Sequence, residues 1–262
     1  MPACPGTNSA MASIRNWYQP KAQIPGFVMC ETCYLDMVAA SPTAEEFEMV
    51  QIPHARRWEH WSCHMALLPI KSAWMESVRV KDYRLWWEST RAIISYPACA
   101  KDGITNGTWY TLRQGSENFA VCGRCYTGLV HALGGGSFFT QKYVPPGAKL
   151  LCDYNPTAAR YQANLLGLCE AIQTGSWAKY SDFVGRFAGV PACPGITPIT
   201  NGLWYGNNDF LICPSCFEEV IKCTSLASQL MYHNSKIPYE AGYCCMQSNP
   251  HARVVEGRVR KT

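Results

Sequence analysis

Three phrases, "FVMCETCY" (Phe27 to Tyr34), "FAVCGRCY" (Phe119 to Tyr126) and "FLICPSCF" (Phe210 to Phe217), each set two cysteines three positions apart between aromatic residues. Two thiolates at that spacing can converge on one metal ion from a single turn, or exchange electrons as a dithiol. The phrase is one part of a larger repeat. "PACPG" stands at Pro2 to Gly6 and at Pro191 to Gly195, with "PACAKDG" at Pro97 to Gly103, and each is followed by a Trp-Tyr pair. The first CxxC cysteines are Cys30, Cys122 and Cys213, a period of 92 and then 91 residues. Repeats of this kind mean one supersecondary unit used several times.

Each copy supplies an outer cysteine before the CxxC and another after it. The sets read Cys4, Cys30, Cys33, Cys63; Cys99, Cys122, Cys125, Cys152; and Cys193, Cys213, Cys216, Cys245. Cys244 is an alternative in the third set. The phrases "CDYNPTAAR" after Cys152 and "CMQSNPHAR" after Cys245 favour Cys245. Four thiolates close the tetrahedral shell of a structural zinc ion, so three zinc ions are expected. A disulfide framework would suit a secreted chain, but the cysteine count is 15, an odd number that cannot pair completely. Iron–sulfur clusters also take four cysteines. A thioredoxin-type dithiol would need a surrounding βαβ unit, which the pattern lacks.

The elements that must hold these ligands follow from periodicity. The segments up to each CxxC are short, aromatic and rich in Gly, Pro and Asn, which predicts ribbon-like strands around turns. Apolar residues at helical spacing follow the second cysteine. Long helical stretches run from Met65 to Tyr96 and from Pro156 to Phe187. A proline in the first and Gly175-Ser176 in the second are expected to break each into two helices, with Asn155-Pro156-Thr157 as a helix start. The expected class is α+β: three related Cys4 zinc-ribbon-like modules, 1–96, 97–190 and 191–262, with helices packed between them in one body. "GGGS" at Gly134 to Ser137 is expected to be a loop inside the second module, and the third repeat ends without a helical insert.

No basic start leads into an apolar run, and no segment has 18 uninterrupted apolar residues, so neither a signal peptide nor a membrane span is expected and a cytoplasmic location follows. Net charge is +4, unevenly spread. Seven Lys/Arg and four Asp/Glu lie between His54 and Arg91, interleaved with Trp in "HARRWEHW" and near Trp86-Trp87. Such residues can neutralise phosphates and stack on unpaired bases, or simply form a solvated face over a tryptophan core. The candidate nucleic-acid contacts are Arg56, Arg57, Lys81, Arg84 and, in the basic tail, Arg258, Arg260 and Lys261. Candidates for proton transfer are Asp153, Glu170, Glu88 and His64, and spacing does not choose among them. Cys169 and Cys223 are expected as buried structural thiols. No Walker loop, GxGxxG or GxSxG motif is present.

The phrase "PACPG…WY…FxxCxxC[YF]" resembles that of cysteine-rich proteins of filamentous fungi, over nearly the whole chain, and through them the arginine-containing cyclodipeptide synthases. The resemblance implies an enzyme that takes aminoacyl groups from charged tRNA and joins arginine to a second residue as a diketopiperazine, a small-molecule product of specialised metabolism. It carries no catalytic motif that matches residues here. A guanidinium pocket would need a carboxylate such as Asp82, Glu88, Asp153, Glu170 or Asp182. The competing expectation is a non-catalytic zinc module that binds nucleic acid or a protein.

Overall fold

The structure is a computed structural model and describes residues 2–22, 24–114, 117–195, 197–207, 210–230, 232–234 and 242–246. Arg258, Arg260 and Lys261 therefore lie outside the described residues, as does the end of the third repeat.

Each module is built on a three-stranded antiparallel ribbon whose central strand begins with, or contains, the Trp-Tyr pair. In module 1, β1 (Trp17–Pro20) lies between β2 (Met29–Cys30) and β3 (Phe47–Met49). In module 2, β4 (Trp109–Leu112) lies between β5 (Val121–Cys122) and β6 (Phe139–Lys142). In module 3, β7 (Leu203–Asn207) lies between β8 (Phe210–Ile212) and β9 (Tyr232–Asn234). The register is common to all three. Tyr18 pairs with Met29, Tyr110 with Val121 and Tyr205 with Ile212, in each case the residue just before the first CxxC cysteine.

That register explains the repeated aromatics. Alternation along a strand sends Trp17, Trp109 and Trp204 inward, where they are 0–1% exposed. The adjoining tyrosines turn to the other face and stack on the aromatic that follows the second CxxC cysteine. The pairs are Tyr18–Tyr34 at 3.9 Å, Tyr110–Tyr126 at 3.6 Å and Tyr205–Phe217 at 3.8 Å, with ring planes 4–7° apart. Such contacts tie the ribbon to the turn that carries the ligands, beyond what area burial contributes.

The segment after each CxxC is shorter than the apolar spacing suggests. A single α-turn (Glu31–Cys33, Gly123–Cys125, Pro214–Cys216) passes into one wide turn of π-helix (Tyr34–Val38, Tyr126–His131, Phe217–Ile221).

The helical stretches form α1 (Leu68–Val80), α2 (Tyr83–Ser95), α3 (Tyr161–Thr174) and α4 (Ala178–Phe187). Two expectations about them are corrected. Pro69 does not break the first stretch; it sits in the first turn of α1, where its missing N–H costs nothing. The break falls at Lys81, left-handed at φ 57°, and Asp82 caps α2 by accepting the Arg84 N–H at 3.1 Å. Asn155 to Thr157 is not a helix start either; it forms a side-chain turn, Thr157 N–H to Asn155 Oδ1 at 2.9 Å, and α3 begins at Tyr161. The second break is at Gly175, φ 69°, the left-handed end of α3.

Two compact units result: Met1–Gly115 with Phe119–Tyr180, and Ser116–Asn118 with Ser181–Thr262. The first holds modules 1 and 2. In it α1 and α2 bury Trp74, Trp86, Trp87 and Ile93 among Trp17, Phe27 and Phe47 of module 1. The same helices press on module 2, where Tyr96 lies against Gly123 and Pro69 against Gly128. Trp177 and Tyr180 close over Phe119 and Phe139 of module 2. The second unit holds module 3, with Trp204, Ile212, Phe217 and Ile221 in its core. Mixed helix and small antiparallel sheets make the class α+β, with three zinc-ribbon-like modules. Among the described residues no helix is long and apolar enough to cross a membrane.

Candidate metal centres and an adjacent cavity

The ligand groups assemble from three separate segments each, the CxxC turn and the two outer cysteines. Cys4, Cys30, Cys33 and Cys63 form the first, Cys99, Cys122, Cys125 and Cys152 the second, and Cys193, Cys213, Cys216 and Cys244 the third. Within each group all sulfurs lie within 4.8 Å of one another. A zinc ion with Zn–S bonds of about 2.3 Å separates its four sulfurs by about 3.8 Å, so each group fits a single tetrahedral ion. All twelve are free thiols.

Backbone N–H groups already point at the sulfurs. Gly6 and Gly195, left-handed at φ 67° and 61°, donate to Cys4 and Cys193 at 3.4 Å, which is why "PACPG" ends in glycine. Module 2 lacks that glycine, and the Asn155 side-chain amide donates to Cys99 Sγ at 3.4 Å in its place. Cys30, Cys122 and Cys213 donate their N–H to the fourth sulfur, on Cys63, Cys152 and Cys244, at 3.4, 3.4 and 3.5 Å. Such donors favour thiolate, the form that binds metal. Hydrogen bonding from Cys33, followed by other neighbours, brings the Cys63 thiol down to about 5 against the opposing effect of burial.

The third group corrects one ligand: Cys244, not Cys245, completes it. The reason lies in the backbone. His64, Asp153 and Cys245 each donate their N–H to the carbonyl two residues before the first CxxC cysteine, at Val28, Ala120 and Leu211, over 2.9–3.0 Å. Cys245 is thus the counterpart of His64 and Asp153, and the residue before it is the ligand. Cys244 is 1% exposed.

The same equivalence places two of the proton-transfer candidates. His64 Nδ1 sits between the Val28 N–H, at 3.2 Å, and the Val28 carbonyl, at 3.1 Å, bonding one or the other according to its tautomer, and Asp153 Oδ2 accepts the Ala120 N–H at 2.8 Å. Both side chains secure the strand that leads into the CxxC. Burial lowers the His64 pKa below its usual value and raises that of Asp153. Glu170 is exposed and ion-paired with Lys179 at 2.6 Å. Glu88 lines a surface depression of about 200 Å³ with Ala22, Glu46, Arg84, Trp87 and Arg91. The structure does not bring these four candidates into one site. Asp82 and Arg84 pair with each other at 3.0 Å. Cys169 and Cys223 are exposed, contrary to expectation, and Cys223 lies 3.9 Å from the Arg186 guanidinium.

A feature missed from sequence lies behind His64. A cavity of about 480 Å³ is lined by Gln19, Pro20, Ile24, Pro25, Gly26, Phe27, Val28, Val50, Arg56, His60, Trp61, Ser62 and His64. One wall is the loop His54 to Ser62, held by antiparallel pairing of His60–Trp61 with Ala10–Met11. Arg56 lies over the Trp61 ring at 5.1 Å, and Glu59 fixes both, accepting from Arg56 Nε and Trp61 Nε1 at 2.9 Å each. Trp58 on the same loop is 72% exposed and Arg57 is exposed. The cluster "HARRWEHW" was the only sequence signal for this wall.

Comparison with models of known protein families, with curated proteins and with solved structures returns no match.

Proposed function

We propose that this zinc-stabilised protein binds charged tRNA and transfers its aminoacyl groups, yielding an arginine-containing cyclodipeptide. The observation that carries the reading is the loop His54 to Ser62. It presents Arg56, Arg57, an exposed Trp58, His60 and Trp61 beside a cavity, on a module clamped by four cysteines. Cations beside exposed indoles suit the phosphates and unstacked bases of a single-stranded segment. Lys81 and Arg84, at the α1–α2 junction, are weaker contributors, because Asp82 already engages Arg84.

Zinc here is a scaffold. When bound, it would fix the three ligand-bearing segments of each module; with four thiolates it has no open position for a substrate. Attack of an amine on an activated ester needs alignment above all, and alignment can be supplied by binding two acyl carriers side by side. For the arginine side chain, Glu46 and Glu88 are the carboxylates of the depression beside Trp87, where Arg84 is already paired with Asp82 and Arg91 also lies.

A second reading is favoured by one observation: His64, Asp153 and Glu170 are all engaged in hydrogen bonds or ion pairs that serve the fold. On that reading the protein binds nucleic acid without catalysis. Expression in a bacterial host with profiling of cyclic dipeptides separates the two. Arginine-containing products that disappear in Glu88→Gln support transfer. Zinc-loaded protein that binds tRNA but forms no product leaves binding alone.

A further inference from the structure

The cavity of module 1 has a composition that narrows its ligand. Its apolar walls are Pro20, Ile24, Pro25, Phe27 and Val50. Its polar lining is Arg56, His60, Ser62, His64 and Gln19, whose amide N–H already donates to Glu48 at 2.9 Å, with no carboxylate among the lining residues, so the Arg56 guanidinium sets its charge. Glu59, which holds Arg56, engages Nε and Nη2 and leaves Nη1 without a partner among the described residues. His64 has its Nδ1 committed to Val28, so its other ring nitrogen is the one free to meet a ligand. A ligand matched to this lining has a flat apolar face and a rim of acceptors, and carries negative charge.

A nucleotide has all three. At about 480 Å³ the cavity is in the range of small-molecule sites. That volume accommodates one nucleotide unit, which a strand would supply most readily from its end. Trp58 stands on the same loop and is the most exposed tryptophan among the described residues, a ring face of the kind that unpaired bases stack on. We infer that this cavity takes the terminal nucleotide of an unpaired strand, so that module 1 recognises a nucleic-acid end and does not track along an interior segment. This rests on the nucleic-acid reading above and sharpens it.

The test uses the full, zinc-loaded chain and fluorescence anisotropy with a short single-stranded RNA, the same sequence closed into a circle, and AMP as competitor. The expected result is at least tenfold tighter binding of the linear RNA than of the circle. AMP should displace the linear RNA, and Arg56→Ala should weaken it fivefold or more with zinc content unchanged. If Arg56→Ala fails to fold, displacement by AMP together with the linear-to-circular ratio decides alone. Equal binding of linear and circular RNA, unaffected by AMP, overturns the end-recognition inference and leaves the nucleic-acid reading standing. Binding of AMP with no binding of either RNA overturns both, since the cavity would then serve a free nucleotide.

Discussion

Gly128 offers the sharpest test of how the first unit is assembled. The residue lies in the π-turn of module 2, three positions after Cys125, and Pro69 of α1 rests on it. A methyl group there would be driven into the carbonyl oxygen of Pro69 and would sit 2.5 Å from its Cβ and 2.6 Å from its carbonyl carbon. Those atoms belong to backbone and a ring, so the helix itself must move. Overpacking of this kind costs about 1–3 kcal/mol. Gly→Ala within a helix otherwise gains about 0.5–1 kcal/mol, so packing and propensity predict opposite signs. Because the atoms met are backbone and ring, the cost lies at the upper end, about 2–3 kcal/mol, so packing wins by about 1–2.5 kcal/mol and Gly128→Ala should lower Tm by about 2–10 °C for a unit of this size. Thermal unfolding followed by circular dichroism reads the shift, with zinc content measured in parallel. The matched residues in modules 1 and 3 are Asp36 and Glu219, both exposed. Alanine at either should change stability by no more than about 0.5 kcal/mol. A Gly128→Ala protein as stable as the parent would refute the contact between α1 and module 2.

Other outcomes follow from single contacts. Cys244→Ser should reduce bound zinc from three ions to two per chain, while Cys245→Ser should leave three, as read by metal analysis of the purified proteins. Chelation of zinc should lower the thermal transition markedly, because each ion ties three chain segments that otherwise depend on short ribbons and the apolar core alone. The buried hydroxyls of Tyr154 and Tyr180 face each other at 2.6 Å. Tyr154→Phe should therefore cost about 1–3 kcal/mol by orphaning its partner, and Tyr154→Phe with Tyr180→Phe should cost much less than twice that in urea unfolding. Asp153→Asn keeps an acceptor for the Ala120 N–H and should retain stability and zinc, whereas Asp153→Ala should lose about 1 kcal/mol or more.

The clamps were legible because the repeat places eleven of the twelve ligands in register, each with the aromatic partner that stacks beside it. Cys244 was not, because the shared "NP" phrase misled. Two residues separate Cys152 from Asn155, but four separate Cys244 from Asn249 and three separate Cys245 from it, so the "NP" phrase keeps no fixed distance from either cysteine. The backbone bond from Cys245 to Leu211 sets the register instead. The helix break at Lys81 was hidden for a different reason. A lysine with positive φ carries no composition signal, while Pro69 carries a strong one that fits the start of a helix as well as its end. The contact between α1 and module 2 was present in the sequence as a difference between copies. Gly123 and Gly128 stand where the other modules have Glu31 and Asp36, or Pro214 and Glu219. Glycine in one copy only marks where a neighbour comes too close for a side chain.

The residue after the fourth ligand shows where the modules part company. His64, Asp153 and Cys245 look unrelated as a set, yet their N–H groups make the same backbone bond, and two of the three side chains make a second bond to the same strand. A clamp needs only that strand to be fixed, and a carboxylate does this as well as an imidazole. What distinguishes module 1 is that its residue at this position also borders a cavity, and that the loop before Cys63 supplies Arg56, His60 and Trp61 as the opposite wall. Repetition accounts for the scaffold, and departures from repetition locate the surface on which a ligand can be recognised. The exchange of His64 for Asp would keep the strand bond and the clamp while placing negative charge in the cavity. It should therefore leave zinc at three ions per chain and weaken RNA binding; loss of zinc with unchanged RNA binding would show that His64 serves the clamp alone.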